Sequence, residues 1–280
     1  MLAVILATTC AVVYGTADFF GGLASKRSRV LSVVVLSQLA GLALVLVLLP
    51  VLPGAYSGEA LAWGMAAGVA GGLGLVLFYR ALATGVMSVV APTTAVTSTV
   101  LPVVFGLAMG ERPHLMAVAG IVLAVSAVVL VSRSPAEGSR SSTGAVLSAL
   151  AAGAGFGGFF ILLALAPEGT GMWSLVGARL ASVGLVALLA VLTRRSLRPG
   201  QGSMRIILAA GVLDMAANVL YLLAEQQGLL SLVAVLVSLY PASTLLLARF
   251  VLGERLRGIQ MAGVAFALGA VALIAVAPAP

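Results

Sequence analysis

A chain of 280 residues that is 62% hydrophobic and 8% charged carries about a third of the charge of an ordinary soluble domain. No soluble fold of this length hides so much apolar surface; in lipid the apolar side chains face acyl chains instead. The net charge of +7 would suit nucleic acid in a soluble protein. Here the basic residues sit in short connections between apolar runs, where they read as topology signals and contacts to anionic lipid, so no nucleic-acid partner is expected.

A span needs about 20 apolar residues and a short turn. Breaks at charged, Pro and Gly clusters predict ten helices, over 2–24, 30–50, 60–83, 86–109, 113–132, 143–166, 171–192, 205–226, 229–251 and 256–277. The first run has no basic segment ahead of it and continues past residue 15 to Ala24, so it reads as an uncleaved span rather than a signal peptide. Cys10 is the single cysteine and reads as filler in that span, with lipidation a minor alternative.

The chain repeats. A shift of 143 lays Ala66–Val69 on Ala209–Val212, Gly85 on Gly228, Ser88 on Ser231, Gly110-Glu111-Arg112 on Gly253-Glu254-Arg255, and Gly120 on Gly263. Between 66 and 120 there are 16 identities in 55 positions, where composition alone gives roughly six. The expected units are 1–134 and 143–280, five spans each. An odd number of spans turns the second unit upside down relative to the first, the inverted-repeat plan of many secondary transporters.

Lys and Arg set the expected orientation. Lys26, Arg27, Arg29, Arg133, Arg140, Arg194, Arg195, Arg198, Arg205, Arg255 and Arg257 fall on one side, and only Arg112 on the other. This bias puts the basic loops in the cytoplasm and both termini outside a cell (inner) membrane. Gly64, Gly68 and Gly72, and again Gly153 and Gly157, recur every four residues, as helices do where their backbones approach closely.

Charge at membrane depth needs a partner, water or a function. Arg179 and Asp214 are the most central charges. They read either as a structural ion pair or as a polar cavity in which Asp214 takes up a proton and Arg179 or Asn218 binds a substrate. Asn218 and Tyr221 share the Asp214 face at helical spacing. Asp18, late in the first helix with Tyr14 one turn earlier, reads equally as a cavity group or as a partner of Lys26 or Arg27. Gln38 lies in the middle of the second helix. His114 reads as interfacial and Glu225 as solvated. Glu111 and Glu254 read as caps of the next helix or as acceptors for a neighbouring backbone. No phosphate-binding loop, zinc-ligand pair or Ser-His-Asp set is present, so no enzyme, metal or cofactor is expected.

Ten spans in two halves, each with Gly-Glu-Arg after its fourth helix, resemble the EamA-type branch of the drug/metabolite transporter superfamily. The fuller pattern is Pro241, then Leu252-Gly253-Glu254-Arg255-Leu256, Gln260 and Gly263, with Tyr14-Gly15-Thr16-Ala17-Asp18-Phe19 similar to the family's first helix. The resemblance implies alternating-access transport of small metabolites, such as amino acids or amphiphilic compounds, without ATP. It also implies a central cavity with Tyr14, Trp63, Tyr79, Arg179, Asn218, Tyr221 and Tyr240 for substrate, and Asp214 and Asp18 for proton coupling. The chain departs from its own symmetry at Ser98 against Pro241 and at Gln38 against Arg179. Many members of the family read as N-terminus inside, opposite to the charge bias here. A monomer or weak homodimer is expected. An uncoupled facilitator and a non-transporting sensor or assembly subunit are the alternative readings.

Overall fold

A computed structural model describes residues 1–25, 27–52, 54–84, 87–132, 143–194, 197–252 and 258–277. Among these residues the chain forms eleven helices and no strand: α1 (Leu2–Ser25), α2 (Val30–Leu48), α3 (Gly58–Thr84), α4 (Met87–Ala108), α5 (Leu115–Ser132), α6 (Thr143–Ala164), α7 (Trp173–Leu192), α8 (Met204–Glu225), α9 (Leu230–Val237), α10 (Tyr240–Leu252) and α11 (Gly258–Val276). Six of them, α1, α2, α3, α6, α7 and α8, are long and apolar enough to cross a membrane by themselves; α4, α5, α9–α10 and α11 contribute shorter apolar stretches.

The eleventh helix comes from a break in the predicted 229–251 segment. Pro241 has no N–H to offer the Val237 carbonyl. The chain instead turns at Ser238 and Leu239, and the Ala242 N–H bonds the Leu239 carbonyl at 2.9 Å. The Ser238 hydroxyl donates to the Val235 carbonyl at 2.7 Å. α4 carries Ser98 at the matching position of the first half and runs unbroken, even with Pro102 four residues further on.

Burial is inverted relative to a soluble protein. Large side chains such as Ile5, Val47, Val122, Leu188, Val191 and Leu268 point outward, while much of the interior is alanine. Small residues let the helices approach at their crossings. A Cβ on Gly64 or Gly68 of α3 would land on the Ser174 or Ala178 carbonyl of α7, and one on Gly211 of α8 on the Ser37 carbonyl of α2. Gly153 and Gly157 of α6 likewise pack on Thr94, Thr97, Ser98 and Leu101 of α4. The glycine rows therefore serve packing.

The principal helix contacts run between the halves. α3 packs on α6 and α7, α4 on α6 and α9, α1 on α8 and α10, α2 on α7 and α8, and α5 on α11. Successive connections alternate between the two ends of the bundle. At one end the Ser28 hydroxyl accepts the Gly200 N–H at 2.8 Å and Ser32 donates to the Leu197 carbonyl at 2.8 Å, joining the α1–α2 and α7–α8 connections. At the other end Tyr56 and Trp173 meet edge to face, ring centroids 4.8 Å apart.

Glu111 closes that second end. Its carboxylate accepts the N–H groups of Leu230 (2.8 Å) and Ser231 (3.1 Å), the first residues of α9. It rests against Gly106, where any Cβ would strike it. The acid thus caps a helix of the opposite half, not the helix that follows it. An anion at a helix N-terminus satisfies otherwise unpaired donors and the helix dipole together. Leu230 and Ser231 are buried, so Glu111→Ala strands two N–H groups and is expected to lower stability by about 2–3 kcal/mol. Glu111→Gln, keeping one acceptor, should fall between. Thermal unfolding in detergent checks this; an unshifted midpoint in Glu111→Ala would deny the cap any role in stability.

Candidate functional site

The polar residues of the middle depth converge where α2, α7 and α8 meet. Arg179 lies on the α7 face that packs into the bundle and is 7% exposed. Its Nη1 donates to Gln38 Oε1 of α2, and its Nη2 donates to and ion-pairs with Asp214 Oδ2 of α8. Ser182, one turn on from Arg179, has its hydroxyl 3.4 Å from Gln38 Oε1. Asn218 Nδ2 donates to the Asp214 carbonyl at 2.8 Å and stands 3.5 Å from Asp214 Oδ2. One guanidinium therefore ties three helices, with Gln38 from the first half and Asp214 from the second. Gly41 makes room for it: a Cβ there would sit 3.4 Å from Arg179 Nε and 3.3 Å from the Gly211 carbonyl.

The pair is asymmetric in exposure. The Arg179 side chain is 8% exposed and that of Asp214 38%. Asp214 is thus the face of the pair open to whatever fills the neighbouring space. Two buried polar atoms further along α8 have no partner, Asn218 Oδ1 one turn on and Tyr221 Oη two turns on. Tyr221 stacks on Phe160 with centroids 4.4 Å apart.

A second group joins from α1 and α10. Gly15 lets α10 close on α1, since a Cβ there would meet Ser243 Oγ and the Tyr240 carbonyl. Ser243 donates to the Ala11 carbonyl and Thr244 to the Gly15 carbonyl, each at 3.0 Å. This crossing brings the Tyr14 and Tyr240 rings to a centroid distance of 6.5 Å, beside the break between α9 and α10. Tyr14 lies within electrostatic reach of Asp214 and Arg179. Asp18, one turn further along α1, lies within reach of Asp214 and of Tyr240. Asp18 is nonetheless exposed. It has no ion-pair partner among the described residues, and Lys26, one of the partners the sequence suggested, lies outside them. The Cys10 thiol is buried and donates to the Ala217 carbonyl at 3.0 Å.

Of the residues singled out in the sequence, Tyr14, Asp18, Arg179, Asp214, Asn218, Tyr221 and Tyr240 come together. Trp63 is half-buried on α3, about one and a half turns from the level at which α3 crosses α7 beside Arg179. The side chains of Tyr79, Arg80 and Arg249 lie outside the described residues, as does Glu254. His114 is exposed, with its Nδ1 accepting the Met116 N–H at 3.3 Å, as an interfacial residue would be. Glu225 is partly buried rather than fully solvated. Gln38 was visible in the sequence only as a mid-helix amide, and Gly41 not at all; the signal for Gln38 was its near-correspondence with Arg179 under the repeat.

Residues 143–276 match the family model described as the EamA-like transporter family. A solved crystal structure, 19% identical, superposes with a TM-score of 0.78 over 96% of this chain and 95% of its own, so the two share a fold. No curated protein sequence matches the chain. The second half of the chain is thus similar to the EamA-like transporter family, within a multi-pass helical membrane protein.

Proposed function

We propose that the protein is a secondary transporter that moves small metabolites across the cell membrane by alternating access. The observation that carries this reading is the Gln38–Arg179–Asp214 bridge, a charged contact at mid-depth that joins the two halves. A charge embedded in lipid is expensive, and a buried ion pair is weak support for stability alone; a polar site on a transport path accounts for both residues.

The helix contacts support an inverted repeat of 1–134 and 143–280. Exchanging each span for its counterpart 143 residues away turns α3·α6 into α8·α1, α3·α7 into α8·α2, and α4·α6 into the contact of α1 with α9–α10; α2·α7, α4·α9 and α5·α11 map onto themselves. The glycine of the repeated Ala-Ala-Gly-Val segment lies at a crossing in each half: Gly68 on α7, Gly211 on α2. Two halves related by such an axis rock against each other around a fixed central site. The break between α9 and α10 beside Tyr240 is also the kind of discontinuity that lines transporter sites. The cytoplasmic side is the end holding Arg27, Arg29, Arg198 and Arg205.

In this mechanism the Gln38–Arg179 bond and Asn218 hold the site together, Asp214 alternates between its ion pair with Arg179 and a protonated state, and Asp18 is the second proton carrier. Tyr14 and Tyr240 line the substrate path, with Trp63 further along it, and Tyr221, buried against Phe160, backs it. Asp214→Asn is expected to abolish dependence on a pH gradient in proteoliposomes while counterflow of labelled metabolite persists. Unchanged gradient dependence in a folded Asp214→Asn protein removes Asp214 from coupling, and absence of counterflow in the wild type across a metabolite panel removes transport itself.

A further inference from the structure

The hydrogen-bonding groups of this site are unequally occupied, and that inequality selects the chemistry of the cargo. Both terminal nitrogens of Arg179 are engaged, by Gln38 and Asp214, and the residue is 7% exposed. The Asn218 amide N–H is engaged by the Asp214 carbonyl. The charged and amide donors that would receive a carboxylate are thus already in use, and the donor left unpartnered is a neutral one, the buried Tyr221 hydroxyl. The acceptors are not. Asn218 Oδ1 is buried with no donor, although Asn218 is only 3% exposed. Asp18 is exposed and without an ion-pair partner among the described residues. Asp214 keeps an exposed carboxylate edge.

The charges add to the same sign. Among the described residues Arg179 offsets Asp214, and Asp18 leaves the site net negative. The C-terminus of α9 and the N-terminus of α10 meet beside Tyr240, so their opposite dipole ends offset one another and the side-chain charges set the sign. The Tyr14 and Tyr240 rings flank the same place, and aromatic faces attract cations at close range.

We propose that the site takes an organic cation, a protonated amine on an apolar or aromatic body, with Asp18 as its counter-ion and the Tyr14 and Tyr240 rings against its body. The inference rests on the transport reading for its biological meaning, but it concerns binding and is tested by binding. A cation beside an uncompensated carboxylate gains attraction that water would otherwise screen. A carboxylate ligand would meet Asp18 with only neutral hydroxyl donors in compensation, and a zwitterion would bind chiefly through its ammonium end.

The test uses the full-length protein in nanodiscs and a matched pair of probes, phenethylamine and 3-phenylpropanoate, which share a ring and differ in the sign of charge. A ligand that binds the folded state raises its unfolding midpoint with concentration. Phenethylamine should raise it and 3-phenylpropanoate should not. Asp18→Asn should weaken the amine effect by about ten-fold or more, and Asp18→Glu should restore it. The proposal is overturned if phenethylamine gives no shift, if the carboxylate stabilises as well as the amine, or if a folded Asp18→Asn protein responds to the amine as the wild type does. Should Asp18→Asn not fold, the wild-type comparison of the two probes together with Asp18→Glu decides. Counterflow judges the transport reading separately: exchange of labelled carboxylates without any amine response keeps the transporter and discards the cation.

Discussion

Asp214→Leu is expected to lower stability by about 3–5 kcal/mol, and Arg179→Met by clearly less, about 1–3 kcal/mol. The order follows from what each change leaves behind. Without Asp214, a guanidinium whose side chain is 8% exposed keeps its charge, because arginine does not deprotonate in proteins, and retains only Gln38 as a partner. Without Arg179, the stranded group is a carboxylate 38% exposed, which reaches water or takes up a proton. Removing one member of a buried pair costs far more than removing both, so the double variant should lie close to the wild type. Unfolding midpoints of the three proteins in one detergent measure this. An Arg179→Met protein less stable than Asp214→Leu would mean that the exposure of the two partners does not control the energetics. The same variants separate stability from transport: a double variant that folds but shows no counterflow assigns the pair to the transport path.

Gly68→Ala and Gly211→Ala should each destabilise the protein by about 1–3 kcal/mol, and the Leu variants should prevent assembly of a folded bundle. The added Cβ meets a main-chain carbonyl in both cases, Ala178 in one and Ser37 in the other. A carbonyl cannot swing aside as the end of a flexible side chain can, so the helices must separate. Separation at Gly211 also shifts α8 against α2, and with it the geometry of Asp214 relative to Gln38. The two sites lie at different crossings, so their effects should be close to additive. Gly184→Ala is the control. It lies in α7 with nothing within 4 Å of its added Cβ, and its midpoint should not fall. Size-exclusion profiles and thermal midpoints report all of these. A Gly68→Ala protein as stable as Gly184→Ala would show that the α3–α7 crossing has slack.

Much of this architecture was readable along the chain. The helices start and stop within a few residues of where charged, Pro and Gly clusters interrupt the apolar runs, because a segment in lipid must satisfy its backbone internally and ends where it leaves. The glycine rows forecast close crossings, because only a missing Cβ permits that approach. The ninth span was the exception. A hydrophobic run records that a segment is buried in lipid, not that its helix is continuous, and the consequence of Pro241 depends on the turn that replaces the lost hydrogen bond.

The sequence by itself determined the solvent of this protein and the limits of most of its helices, because hydropathy is a property of consecutive residues. It also supplied the short roll of polar residues that lipid makes conspicuous. It did not determine which of those residues meet. That Arg179 bridges Gln38 and Asp214, that Glu111 caps α9 across the bundle, and that Asp18 stays exposed near Asp214 with no cation among the described residues depend on the rotation of each helix about its own axis. Neighbouring helices set that rotation when they close on one another at glycine, and no local pattern of residues contains it.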